Sequence, residues 1–188
     1  MPQIVDSYSE SNYNVASGFD PDQTGEGQTF TGDGGTLNSA KFYLRKLGSP
    51  TGNIVAKIYS HSGTFGTDGI PDTLLATSDN VDVATLSDFP DFSLITFTFS
   101  GDQKITLDNG VYYCLSIEYS GSDYSLPKVW GGLSNLAGHL GNSFILYGGT
   151  FYPGSYDYCF YVYKDDTAAA NFGSMVASMT FGGSLNTQ

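Results

Sequence analysis

The chain has 188 residues, enough to bury one sizeable core without disulfide or metal staples and too few for two large domains. Charged residues make up 14% of it and aromatic residues 15%, while Gly, Ser and Thr supply a third, a composition of strands and turns rather than of helical bundles. With a formal charge of −12, a single arginine (Arg45) and scattered lysines, it has no basic stripe that could follow a phosphate backbone, and nucleic acid is not an expected partner. No apolar run approaches the roughly 18 residues of a membrane helix, so no membrane is expected as a partner either.

The amino-terminal Met1-Pro2-Gln3-Ile4-Val5-Asp6 lacks the basic and apolar regions of a secretory signal. Residues 4–8 and 27–31 read as short strands. Between them, Asp20-Pro21-Asp22-Gln23-Thr24-Gly25-Glu26 matches the first half of a calcium loop, with oxygen donors at Asp20, Asp22 and Thr24 and a glycine in sixth place. The twelfth position is Thr31 where a bidentate Glu is wanted, which excludes a complete EF-hand. Two expectations remain, a solvated acidic loop or a structural calcium held by Asp20, Asp22 and Thr24.

Further along, Ala40, Phe42 and Leu44 alternate with Lys41, Tyr43 and Arg45, the period of a strand with one buried face. Gly48-Ser49-Pro50-Thr51-Gly52 then separates this run from Ile54, Ala56 and Ile58, which alternate with Val55, Lys57 and Tyr59, and the pair predicts a hairpin. After a weak run at 81–83, Ile95, Phe97 and Phe99 alternate with Thr96 and Thr98. Asp108-Asn109-Gly110 predicts a tight turn into Val111, Tyr113, Leu115, Ile117 and Tyr119. Weaker runs lie at 125–130 and 143–147, and a late strand sets Tyr158, Phe160 and Val162 against Cys159, Tyr161 and Tyr163.

Eight to ten short strands without a three-turn amphipathic helix exclude parallel α/β architectures and predict an all-β fold. The expected architecture is an antiparallel β-sandwich, jelly-roll-like, over residues 1–166, with long loops at 61–71, 120–127 and 148–156. Cys114 and Cys159 are too few and too far apart for a zinc site, and read as buried thiols or as one bridge between neighbouring strands. Residues 167–188 form an uncharged tail containing Phe172, Met175, Met179 and Phe181. It is either a last strand or terminal helix packed on its own sandwich, or an arm that buries these side chains against a neighbouring subunit.

The chain carries no nucleophile elbow, Walker loop, zinc-protease motif or dinucleotide fingerprint, and His61 and His139 both lie in Gly/Ser-rich stretches. The glutamates are Glu10, Glu26 and Glu118, and no spacing singles out a catalytic carboxylate pair. An enzyme is not expected. Glycan recognition would need exposed aromatic platforms beside polar groups, because a pyranose face is apolar and its rim is not. The sole tryptophan, Trp130, sits beside Gly131 and Gly132 near Tyr124, and the later loop adds Tyr152 and Tyr156. These four form the candidate glycan site; the alternative for Trp130 is burial inside the sandwich.

The succession Gly27-Gln28-Thr29-Phe30-Thr31, Gly35-Thr36-Leu37, Phe42-Tyr43-Leu44 and Gly48-Ser49-Pro50-Thr51-Gly52 resembles the choice-of-anchor R type domain of bacterial surface proteins and of many environmental and viral reading frames. Thr96-Phe97-Thr98-Phe99, Asn109-Gly110-Val111-Tyr112-Tyr113 and Ile117-Glu118-Tyr119 continue the likeness over residues 28–164. It implies a β-sandwich reminiscent of carbohydrate-binding modules, with no catalytic residue to transfer. Anchored members begin with an export signal and end in a sorting or membrane tail, which these residues do not resemble. The expected function is therefore a non-enzymatic phage virion structural protein, a head decoration or fibre-like accessory protein. It would be made in the host cytoplasm and carried on the virion, attached to virion proteins or to its own copies through residues 4–8 and the tail. The alternative is a glycan-binding module of an adhesin or receptor-binding protein, extracellular or at the cell surface.

Overall fold

A computed structural model describes residues 1–121, 128–136 and 138–165. In chain order its strands begin with β1 (Gln3–Tyr8), β2 (Val15–Gly18), β3 (Gln23–Thr31), β4 (Gly35–Leu47), β5 (Asn53–Ser62), β6 (Ile70–Thr77), β7 (Val81–Asp82) and β8 (Ser93–Thr98). They continue with β9 (Thr106–Leu107), β10 (Tyr112–Glu118), β11 (Lys128–Ser134), β12 (Ser143–Tyr147), β13 (Thr150–Pro153), β14 (Asp157–Tyr158) and β15 (Phe160–Lys164). Two antiparallel sheets pack together as a β-sandwich. The first sheet runs β1-β15-β4-β11-β14, with β2 on β11 and with β8 and β9 on β4. The second runs β13-β12-β3-β10-β5-β6, with β7 on β5.

The period of two explains both faces. On β4, Ala40, Phe42 and Leu44 are buried between the sheets while Lys41, Tyr43 and Arg45 stay half-exposed on the outside. Across the core they meet Ile54, Ala56 and Ile58 from β5 and Leu115 and Ile117 from β10. Phe30, Phe97 and Phe160 fill the remaining space with flat, rigid side chains. A second, smaller cluster of Tyr59, Cys114 and Phe144 lies with Ile70 and Phe151, where residues of the second sheet point away from the main core. Both cysteines are free and buried; burial pushes the Cys159 thiol up to about 12 and the Cys114 thiol higher still.

Several sequence expectations change. The two alternating runs around residues 48–52 do not form a hairpin: β4 belongs to the first sheet and β5 to the second. The segment is an arch, with positive φ at Gly48 (75°) and Gly52 (95°), that carries the chain from one layer to the other. Alternation cannot separate the two cases, since both bury every second residue. The turn at Asp108-Asn109-Gly110 forms as expected, with Val111 N–H donating to Asp108 O at 3.2 Å and Gly110 at φ 76°. It too crosses between layers, from β9 to β10.

Strands also occupy two of the expected loops. Residues 61–71 include the end of β5 and the start of β6, and residues 148–156 contain β13. There Gly148 (φ 56°) and Gly149 (φ 79°) make the two-residue turn of the β12–β13 hairpin. Among the described residues fifteen segments result where eight to ten were expected, three of them only two residues long. Residues 4–8 form a strand as expected, within the edge strand β1: Ile4 is exposed, but Tyr8 is buried in the core. The tail with Phe172, Met175, Met179 and Phe181 lies outside the described residues.

Candidate functional site

Three regions hold the residues singled out by the sequence. The first is the outer face of the first sheet. Because β4 alternates, Arg45 points outward, and register places Trp130 of β11 directly opposite it. The segment after β7 folds back over them, held by Phe89 N–H donating to Lys46 O at 2.9 Å. The Arg45 guanidinium thus lies over Phe89 (4.6 Å) and Phe92 (4.3 Å), and 5.9 Å from Trp130. Phe92 stacks in turn on Tyr43 at 4.9 Å, and Tyr13 packs against both.

Trp130 is therefore neither an inter-sheet core residue nor an open platform. It is half-buried, its six-membered ring laid against Gly18, where a Cβ would stand 3.2 Å from three ring carbons. Its indole N–H is buried without a partner among the described residues. Tyr152 and Tyr156 stand apart from it. Tyr152 is on β13, at the edge of the second sheet, and Tyr156 lies in the segment leading into β14; both are about half exposed. Among the described residues no ring contact joins either of them to Trp130. Tyr124 lies outside the described residues.

The second region is a cleft of about 310 Å³ between the edges of the two sheets, with Tyr156 at its rim. Val15 and Leu133 of the first sheet and Ile145 of the second make its apolar walls, and Ser17, Gln23 and Tyr158 contribute polar groups. Behind these lies Glu26, fully buried. Its Oε2 accepts from the Tyr158 hydroxyl at 2.7 Å and from Gln23 Nε2 at 3.2 Å, and Gln23 Nε2 also donates to Ser17 Oγ at 2.9 Å. Its Oε1 rests against Gly131, where only a residue without Cβ fits, and has no partner among the described residues. Burial raises the Glu26 carboxyl to about 7, opposed by the bond from Tyr158, and burial beside Glu26 raises the Tyr158 phenol as well.

Next to the cleft a polar network fixes the segment that follows β11. The buried Asp157 accepts from Gln28 Nε2 (2.9 Å) through Oδ1 and from the backbone N–H of Gly138 (2.9 Å) and His139 (3.0 Å) through Oδ2. His139 Nδ1 accepts from Gly141 N–H at 3.0 Å, so its Nε2 carries the hydrogen that reaches Asp6 Oδ1 at 3.1 Å. Asp6 Oδ2 in turn accepts from Thr31 N–H at 3.0 Å. His139 is thus a partnered, largely buried side chain rather than a solvated loop residue.

Sequence reasoning passed over Glu26 and Gln28. The signal was there: both share the phase of Phe30 on β3, so the inward face of that strand begins with two polar residues. The partners that make this phase informative, Tyr158 and Asp157, are about 130 residues away and invisible to local spacing.

The third region holds the calcium expectation. Asp20 Oδ1 accepts from Asp22 N–H at 2.9 Å and Gln23 N–H at 2.7 Å, an Asx turn that closes the entry to β3. Thr24 already lies within β3, so the three residues divide between a turn and a strand instead of lining one loop. Asp22 accepts from the Tyr147 hydroxyl at 3.4 Å. Among the described residues no three His, Cys, Asp or Glu side chains stand close enough together to hold a metal.

Set beside protein-family models, curated proteins and solved structures, the chain matches none of them.

Proposed function

We propose that this chain is a non-enzymatic structural accessory protein of a phage-type virion, a head decoration or fibre-like sandwich that attaches through its terminal segments. The observation that carries this reading is the pairing of β1 with β15. Gln3 stands opposite Lys164, so the backbone entering the sandwich and the backbone leaving it run side by side at one pole of the first sheet. Among the described residues β1 pairs with β15 alone, leaving its other edge as a row of backbone donors and acceptors. An open depression of about 450 Å³, bordered by Pro2, Lys41 and Tyr163, lies at the same pole. β15 ends at Lys164 on this pole, so the proposed attachment pairs β1 with the tail that follows β15 in sequence. The resemblance to choice-of-anchor R type domains belongs to the same reading, as a sandwich displayed on a surface.

Light scattering tests it. The full-length chain should form a defined oligomer, and a version ending at Asp166 should be a folded monomer. A truncated chain that assembles as the full one does would contradict attachment through the tail.

A second reading, a glycan-binding module, is favoured by the half-exposed tyrosines Tyr147, Tyr152 and Tyr156, which stand on or next to the β12–β13 hairpin away from the terminal pole. The two readings are compatible, since an attached module presents its far end outward.

A further inference from the structure

We propose that the inter-sheet cleft beneath Tyr156 binds one neutral pyranose ring, such as the terminal residue of a glycan chain. The proposal rests on the glycan-binding reading and gives it a place and a ligand class.

Size comes first. A cleft of about 310 Å³ lies at the lower end of the range of small-molecule sites, room for one ring rather than several. Its chemistry is two-sided. The apolar walls suit the C–H face of a sugar, and Tyr156 at the rim is free to stack on that face.

The polar groups suit the hydroxyl edge, and the hydrogen-bond inventory shows in which sense. Both amide hydrogens of Gln23 are committed, to Ser17 Oγ and Glu26 Oε2, which leaves its carbonyl oxygen to accept. Tyr158 has given its hydrogen to Glu26, so its oxygen keeps only acceptor capacity. These acceptors, with the hydroxyls of Ser17 and Ser155 that can both donate and accept, suit a neutral ligand rich in hydroxyl groups. An anion is disfavoured twice, by those acceptors and by a chain of formal charge −12. These groups are set in β2, β3 and β14 and held by the fully buried Glu26, so the site is formed before the ligand arrives.

The test is saturation-transfer NMR on the full-length protein with the methyl glycosides of glucose, galactose, mannose and N-acetylglucosamine. At least one should receive transfer, with Trp130 emission unchanged. Tyr156→Ala should weaken binding about tenfold through loss of stacking, and Ser155→Trp, which crowds the mouth, should abolish it. Both positions are exposed, and unchanged thermal midpoints would show that both variants fold. Transfer that survives both substitutions, or that moves Trp130 emission, would overturn the cleft assignment while leaving glycan binding in place. No transfer from any of the four would overturn both.

Discussion

Replacing Asp157 by Ala is expected to cost about 4 kcal/mol of stability, the largest single-residue loss outside the apolar core. The carboxylate is 4% exposed and accepts three hydrogen bonds, from Gln28 Nε2 and from the backbone N–H groups of Gly138 and His139. Removal strands three donors at once in a place where water reaches poorly, and each unmet donor costs about 1–3 kcal/mol before relaxation. The loss should spread beyond the site. The segment at 138–142 ties β3 to β1 through His139 and Asp6, so hydrogen exchange there should rise to the level of an exposed loop. Chemical denaturation with the exchange pattern checks this, and a change under about 1 kcal/mol would show that the network is not needed.

The second large effect is a dependence of stability on pH set by Glu26. Its carboxyl is raised from 4.5 to about 7 by burial, so between those values the folded state holds a proton that the unfolded state has released. Stability is therefore highest below about pH 4.5 as far as this group is concerned, falls as pH rises through 7, and levels off above. The full change is about 3 kcal/mol. His61 acts in the opposite sense: burial lowers its imidazole, so its contribution falls as pH drops below 6.5. Asp6, lowered by its bonds to His139 and Thr31 in spite of burial, matters only below about 3.8.

Glu26→Gln isolates the carboxyl, because it keeps the shape of the neutral acid and leaves His61 and Asp6 in place. The difference between wild type and variant should follow a single titration centred between 4.5 and 7. Tyr158→Phe, which removes a donor to the carboxylate, should move the upper limb to higher pH. A Glu26→Gln variant with the same pH profile as wild type would contradict the assignment.

Much of the sandwich was legible because its inner faces are simple. Phe42 and Leu44, Ile54 and Ile58, Leu115 and Ile117 all follow the period of two and all are buried. What the period could not supply was partnership. The β4 and β5 runs look like a hairpin and are an arch, since apolar faces that meet across a core alternate in the same way as faces lying side by side. Strand β6 escaped notice because it is an edge strand that leaves Leu74 and Leu75 exposed and breaks register with β5 near Tyr59 and His61. In the candidate sites, Tyr156, singled out as an aromatic of the later loop, is 47% exposed. Trp130 was expected either in the core or as an open platform, and it took up a third position under Arg45. Packing on the outer face of a sheet depends on which loop folds back over it, and the segment carrying Phe89 and Phe92 leaves no local sign that it will.

Attachment through one pole, where β1 and β15 run side by side, is the central property proposed for the molecule. Hydrogen exchange of the full-length chain, compared between its assembled and its dilute state, measures this most directly. Assembly should add protection in peptides covering residues 1–8 and 160–188 and leave residues 147–158, around the cleft, unchanged. Added protection at 147–158 with none at the terminal segments would contradict it.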